Sequence, residues 1–165
     1  MTLTEIKTGS TVFVDSNIFI YHFTGVSDEC SEFLERCERG ELTGVTGMNV
    51  ILNVLHCLMM VEAVRKDLVK PPHVAAKLSR EPRLLKHLND YFVNTESIRE
   101  MNISIKPLAF DTLVNSHVSR LVSGLMINDS IIIAGMKQER IKLLATGNRS
   151  FEQVKEIRVR IPGDI

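Results

Sequence analysis

Apolar positions along the chain follow two different periods, and the changes between them mark the elements. Residues 11–15, Thr-Val-Phe-Val-Asp, are a β-branched apolar run that ends in an acid. They predict a buried strand that delivers Asp15 to its carboxyl end. From Ser27 to Gly40, the apolar or cysteine positions 30, 33, 34 and 37 keep helical spacing, with Gly40 as the stop. A short strand is expected at 42–46. Over 49–66, Val50, Ile51, Val54, Leu55, Leu58 and Met59 make a broad apolar face on a long helix. Pro71 and Pro72 interrupt the pattern, and shorter helices are expected over 72–79 and 82–100. Ile103 and Ile105 predict a short strand before Pro107, and Phe110 to Val122 returns to helical spacing. Asn128 is placed to cap a helix over 129–140. Lys142 to Thr146 predicts another strand, Gly147 a turn, and the residues near 157–161 a last strand.

Strands that alternate with helical segments imply an α/β fold, a mostly parallel sheet covered by helices on both faces. The chain has 165 residues and no low-complexity linker, so residues 1–165 are expected to form one domain. In such a sheet, ligands bind beyond the carboxyl ends of the strands, which makes the residues there the ones to weigh for chemistry.

Composition narrows the classes. Twenty lysines and arginines balance twenty acids, so no global field draws the chain to nucleic acid or to an anionic membrane. Any such binding needs a local patch. Cys30, Cys37 and Cys57 are odd in number and lack the paired spacing of a zinc knuckle. Cys30 and Cys37 lie two turns apart on one helix, too far for a disulfide, so a reduced, cytoplasmic setting is expected. No segment approaches the roughly 20 consecutive apolar residues of a membrane span, and the amino terminus lacks the pattern of a signal peptide.

At the strand ends, Asp15 closes the first strand, Asp129 begins a helix, and Thr146-Gly147-Asn148 follow the penultimate strand. On the long helix, Asn49, Asn53 and His56 are spaced by four and three, a polar stripe on an apolar surface. Taken singly, Asp15 and Asp129 serve equally well as helix caps, Asn53 as a core amide and His56 as helix surface. Taken jointly, they describe an acidic pocket with amides beside it.

Four segments carry a resemblance to a known family: Val-Phe-Val-Asp-Ser-Asn-Ile-Phe at 12–19, Val-Ile-Leu-Asn-Val-Leu-His at 50–56, Ile-Asn-Asp-Ser-Ile-Ile-Ile-Ala at 127–134 and Leu-Ala-Thr-Gly-Asn-Arg-Ser-Phe at 144–151. In order and spacing they resemble the PIN-domain family. That resemblance implies a three-layer sandwich and a Mg²⁺- or Mn²⁺-dependent ribonuclease, often the toxin of a toxin–antitoxin pair. It also implies RNA as substrate, an antitoxin as protein partner and a homodimer. Asp15 and Asp129 match two metal-holding acids of the family, and Asn17 and Thr146 match polar residues that accompany them. Asn53 stands where a glutamate is usual, Asn148 where an aspartate is usual, and Ser150 at a position that is frequently acidic.

These departures bear on the chemistry. Asparagine oxygens ligate a hard cation without adding charge, so two carboxylates support one hydrated ion held weakly rather than a two-metal site. Carboxylates 5 Å apart repel by roughly 3 kcal/mol at an effective dielectric of about 20, so a pocket relieved of two of them folds more easily without metal. The expected function is a nuclease of reduced or lost activity; the alternative is a non-catalytic member that binds RNA or a protein. Between Arg65 and His87, a run that includes Lys70, Lys77 and Arg83 outnumbers its acids and is the candidate phosphate-contacting arm.

Overall fold

A computed structural model describes residues 1–165. Five strands, β1 (Thr11–Val14), β2 (Thr43–Gly47), β3 (Ile103–Lys106), β4 (Leu143–Ala145) and β5 (Arg158–Arg160), form one sheet in the order β3-β2-β1-β4-β5. Every neighbouring pair is parallel, with Phe13 of β1 set beside Val45 on one side and Leu144 on the other. Val12, Phe13 and Val14 are all buried, as a central parallel strand requires.

Eight helices connect and cover the sheet. They are α1 (Ser16–Thr24), α2 (Asp28–Glu38), α3 (Met48–Arg65), α4 (Val74–Arg80), α5 (Pro82–Leu85), α6 (Asp90–Ser97), α7 (Phe110–Ser123) and α8 (Ile127–Gln138). The path steps from β1 to β2 to β3 in one direction and then jumps back across to β4. Right-handed crossovers therefore put α1 to α6 on one face and α7 and α8 on the other. The strand order reverses between β1 and β4, the point at which an open α/β sheet leaves a crevice at its carboxyl edge.

Local chemistry explains where the elements begin and stop. Ser27 caps α2 by accepting from the Cys30 N–H at 3.1 Å, and Asp28 and Glu29 suit the positive end of that helix. The face it buries is Cys30, Phe33, Leu34 and Cys37, the spacing that predicts it. Gly44 of β2 lets α2 and β3 close on the strand, since a Cβ there would stand 2.8 Å from Ile103 and 3.3 Å from the Cys37 sulfur. By length and composition α3 is apolar enough to be compared with a bilayer span. Here it packs against α1, β2, α4 and α6, with Val50, Ile51, Val54 and Leu58 buried.

Two expected elements differ from what forms. The helix expected over 82–100 is broken: α5 ends at Leu85, α6 starts at Asp90, and a 3-10 turn covers Ile98–Met101. The buried Glu62 of α3 is the cause, because its carboxylate accepts from the N–H groups of Asn89 at 2.9 Å and Tyr91 at 2.8 Å and so starts a new helix at that point. The helix expected over 129–140 begins earlier, at Ile127, with Met126 as its extended cap residue. Asn128 is therefore inside the first turn, and its side chain accepts from Asn49 Nδ2 at 3.2 Å instead of capping.

Candidate functional site

The last residue of β1 hands the chain to Asp15, whose N–H still bonds to the Ala145 carbonyl at 3.0 Å as if the sheet continued. Its carboxylate is buried and doubly engaged. Oδ1 accepts from the Ser16 N–H at 2.6 Å and from Ser16 Oγ at 3.3 Å, and Oδ2 accepts from Thr146 Oγ1 at 2.6 Å. Asp15 thus caps α1 and closes the gap between β1 and β4 at once.

From Asp15 the polar contacts run outward on both sides. Ser16 Oγ accepts from Asn53 Nδ2 at 2.8 Å, which ties α3 to the end of β1. Thr146 Oγ1 accepts from the Asn148 N–H at 3.0 Å. Asn148 then uses both ends of its amide: Oδ1 accepts from the Ser150 N–H at 3.0 Å, and Nδ2 donates to Asp129 Oδ2 at 3.1 Å. Because a backbone N–H needs an oxygen and a carboxylate needs a donor, the orientation of this amide is fixed by its partners. Ser150 Oγ adds a second donor to Asp129 at 3.3 Å. Asn17 Oδ1 accepts from the Gly147 N–H at 2.9 Å and more distantly from Thr146 Oγ1 at 3.4 Å. Gly147 has to be small, since a Cβ there would meet the Tyr21 ring at 2.8 Å.

Asp15, Asn17, Asn53, Asp129, Thr146 and Asn148 consequently lie in one connected set of hydrogen bonds at the switch point of the sheet. Ser16, which links Asp15 to Asn53, belongs to it too and carries no sequence signal beyond following an aspartate. His56 does not belong: it is exposed on α3, while Asn53 is half-buried near the amino end of that helix.

The electrostatics separate two kinds of acid. Burial pushes the Asp15 carboxyl above its ordinary value; the bonds from Thr146 and Ser16 pull against that, and the charge of Asp129 adds to the rise. Glu62 is the other buried acid on the helix side. Burial pushes it up as well, but Lys66 at 2.6 Å and the N–H groups of Tyr91, Asn89 and Asp90 outweigh this and hold it at about 2. Glu62 is spent on the start of α6, nine residues along α3 from Asn53, and is a structural carboxylate.

No group of three or more His, Cys, Asp or Glu side chains gathers anywhere as a ready metal cage. The site offers two carboxylates and neutral oxygens. Lys70, Lys77 and Arg83 stand elsewhere: they are exposed in the segment beyond the carboxyl end of α3. The twelve residues from Asn53 to Arg65 span about 18 Å at a helical rise of 1.5 Å, so these cations do not line the acidic site. The Lys77 ammonium donates to the Lys70 carbonyl at 2.7 Å, which folds the start of the arm on itself.

Comparison with known proteins agrees with this fold. Residues 12–157 match the sequence profile of the family described as the PIN domain. No curated protein sequence matches the chain significantly. Among solved structures, VapBC2 from Rickettsia felis bound to a DNA fragment from its promoter superposes with a TM-score of 0.58 at 14% identity, over 92% of this chain and 98% of that one. A toxin–antitoxin complex from Klebsiella pneumoniae gives 0.55 at 20% identity, over 89% and 95%. Mycobacterium tuberculosis VapC20, a toxin that cleaves the sarcin–ricin loop, gives 0.58 at 13% identity, over 90% and 98%. These likenesses establish the fold.

Proposed function

Since the chain belongs to the PIN-domain family over residues 12–157, we propose that it is an endoribonuclease of reduced activity, working with one weakly held Mg²⁺ or Mn²⁺. The observation that carries this reading is the connected set of hydrogen bonds that brings Asp15 and Asp129 to the switch point of the sheet. The donor set fits a hydrated hard cation: both acids offer oxygen, and Mg²⁺ characteristically binds through one or two carboxylates and keeps much of its water. When bound, such an ion would hold the scissile phosphate and acidify a water.

The chain's own residues supply the rest. Thr146 and Ser16 fix the Asp15 carboxylate in one orientation. Asn17 pins the Gly147 turn, so that Asn148 is presented to Asp129. Asn53 and Asn148 contribute amide N–H groups, which suit a phosphate oxygen but add no negative charge. The exposed Lys70 and Arg83, with Lys77, extend the reading to a phosphate track distant from the acids. The toxins and toxin–antitoxin complexes among the similar folds support a toxin role with an antitoxin as partner.

One observation favours a second reading, in which the same site binds RNA or a protein without cleaving. The Asn148 side-chain amide already donates to an Asp129 oxygen, and so meets the need that a cation would meet. Cleavage of single-stranded RNA with and without Mn²⁺, in the native chain and in Asp15→Ala, tests both. Mn²⁺-dependent cleavage that vanishes in the variant supports the nuclease; RNA binding without cleavage supports the second reading.

A further inference from the structure

A cleft of about 100 Å³ lies beside the acidic crevice, between α8 and the turn that follows β3. Its floor is apolar, made by Phe13 of β1 and Ile131 of α8, both buried. Two glycines line it. Gly47 ends β2 next to Lys106 of β3, and a Cβ there would meet Asn49 Oδ1 at 2.5 Å and the Phe13 ring at 3.7 Å. Gly135 is a different case. It sits inside α8, where glycine weakens a helix relative to alanine, yet a Cβ there would meet nothing within 4 Å. Packing within the chain does not call for this glycine, and the space it leaves belongs to the cleft. One wall is charged: Lys106 Nζ stands 3.1 Å from Glu139 Oε2, both side chains are half-buried, and Glu139 Oε1 has no partner. Asn49, which donates to Asn128 at 3.2 Å, separates the cleft from Asp129. Gly135 lies six residues beyond Asp129, a rise of about 9 Å along α8.

We propose that this cleft receives the guanine base of a nucleotide flanking the phosphate at the acidic site; the inference rests on the reading that RNA is what that site takes. Shape supports a base. A flat aromatic ring suits an apolar floor with a glycine beside it, and a base splayed from a single strand is read along its exposed edge. Charge selects which base. The pairing edge of guanine sets the acceptor O6 beside two donors, N1–H and N2–H. The Lys106 ammonium matches the acceptor, and the Glu139 carboxylate accepts from both donors. The other bases fit this pair less well. Uracil places its one N–H between two carbonyls, which a carboxylate repels, while adenine and cytosine each offer the carboxylate only an amino group. A partly exposed ion pair adds little to stability. This one holds a donor and an acceptor side by side above an apolar floor, which is what recognition of guanine requires.

An amide-resolved NMR titration of the full, metal-free chain with guanosine 5′-monophosphate tests the cleft independently of any cleavage. The signals of Gly47, Ile131 and Gly135 should shift and saturate. Adenosine, cytidine and uridine 5′-monophosphates should bind roughly tenfold more weakly or worse, the discrimination expected of one bidentate contact. Glu139→Gln, which replaces two acceptor oxygens with one, should remove that preference. Gly135→Leu, which fills the free space, should weaken guanosine monophosphate binding roughly tenfold or more, and it should keep its helical circular dichroism because leucine favours a helix. Equal affinity for the four mononucleotides overturns the proposal, as does a folded Gly135→Leu chain that binds undiminished or a set of shifts confined to the segment of Lys70, Lys77 and Arg83. A chain that prefers guanosine monophosphate at these glycines but cleaves no RNA upholds the cleft and removes the nuclease reading. Mn²⁺-dependent cleavage without that preference does the converse.

Discussion

Restoring carboxylates at the two asparagine positions, Asn53→Glu with Asn148→Asp, should make the metal-free chain less stable and make its stability depend on metal. In the native chain Asn148 Nδ2 lies 3.1 Å from Asp129 Oδ2. The aspartate introduced there replaces that hydrogen bond, worth about 1 kcal/mol, with a second carboxylate. Two charge centres about 4 Å apart repel by about 4 kcal/mol at an effective dielectric of about 20. Asn148 and Asp129 are both half-buried, and screening by water reduces this to roughly 2 kcal/mol. The glutamate introduced at position 53 loses the 2.8 Å bond to Ser16 and adds charge beside a carboxylate that burial already disfavours, for another 1 to 2 kcal/mol, again roughly. A total near 4 kcal/mol corresponds to a melting temperature lower by about 10 °C in a chain of this size. Saturating Mn²⁺ should recover most of it, because an ion that binds only the folded state stabilises that state by about 2.7 kcal/mol at a hundredfold excess over Kd. Thermal melts with and without Mn²⁺ read both effects, and an RNA cleavage assay reads the gain of activity. A double variant that melts like the native chain and ignores Mn²⁺ would refute the reasoning, since the added carboxylates would then not converge on Asp15 and Asp129.

Three further outcomes are expected. Asp15 has a raised folded-state pKa, so its contribution favours the fold at low pH and is lost as pH rises through that pKa; Asp15→Asn should therefore melt above the native metal-free chain at neutral pH, with the gap closing toward acid. A gap that is constant in pH would mean that the ionised carboxylate is not the destabilising group. Glu62 is the opposite case: its pKa falls from 4.5 to about 2, so its stabilisation is complete above 4.5 and is lost as pH falls toward 2. Glu62→Ala should cost roughly 2 to 3 kcal/mol at neutral pH and flatten that part of the melting profile, and an unchanged acid limb would show that α6 does not rely on this cap. Finally, charge reversal at Lys70, Lys77 and Arg83 together should weaken binding of single-stranded RNA and lower its salt slope by about 2 if each contacts a phosphate. An unaltered slope leaves the arm as ordinary surface.

The strands were legible because they are short β-branched runs that must be buried on both faces, and 11–15, 42–46 and 142–146 match the observed strands to within a residue or so at either end. The helix break at 86–89 was not legible, because its cause, Glu62, sits 27 residues upstream of Asn89 and only the fold brings them together. The start of α8 is hidden for a related reason: Asn128 has the chemistry of a cap, but Asn49 from another helix claims its side chain. For α7 the apolar spacing identified a helix without saying which way it faces. Nothing in a period of 3.6 distinguishes a core stripe from an outward one. In the site, the motif residues were legible through the family resemblance, while Ser16, which joins Asp15 to Asn53, became visible only as geometry.

The bond from Asn148 to Asp129 has one more consequence. The amide is a tethered competitor: it is fixed at both ends of its polar group, and it stands against the carboxylate at the effective concentration of an intramolecular ligand, far above that of any cation in solution. Any ion that approaches Asp129 contends with this resident donor before it contends with water. Cutting the amide back, as in Asn148→Ala, removes the competitor without adding charge. By this logic a smaller and less polar side chain makes the better ion site.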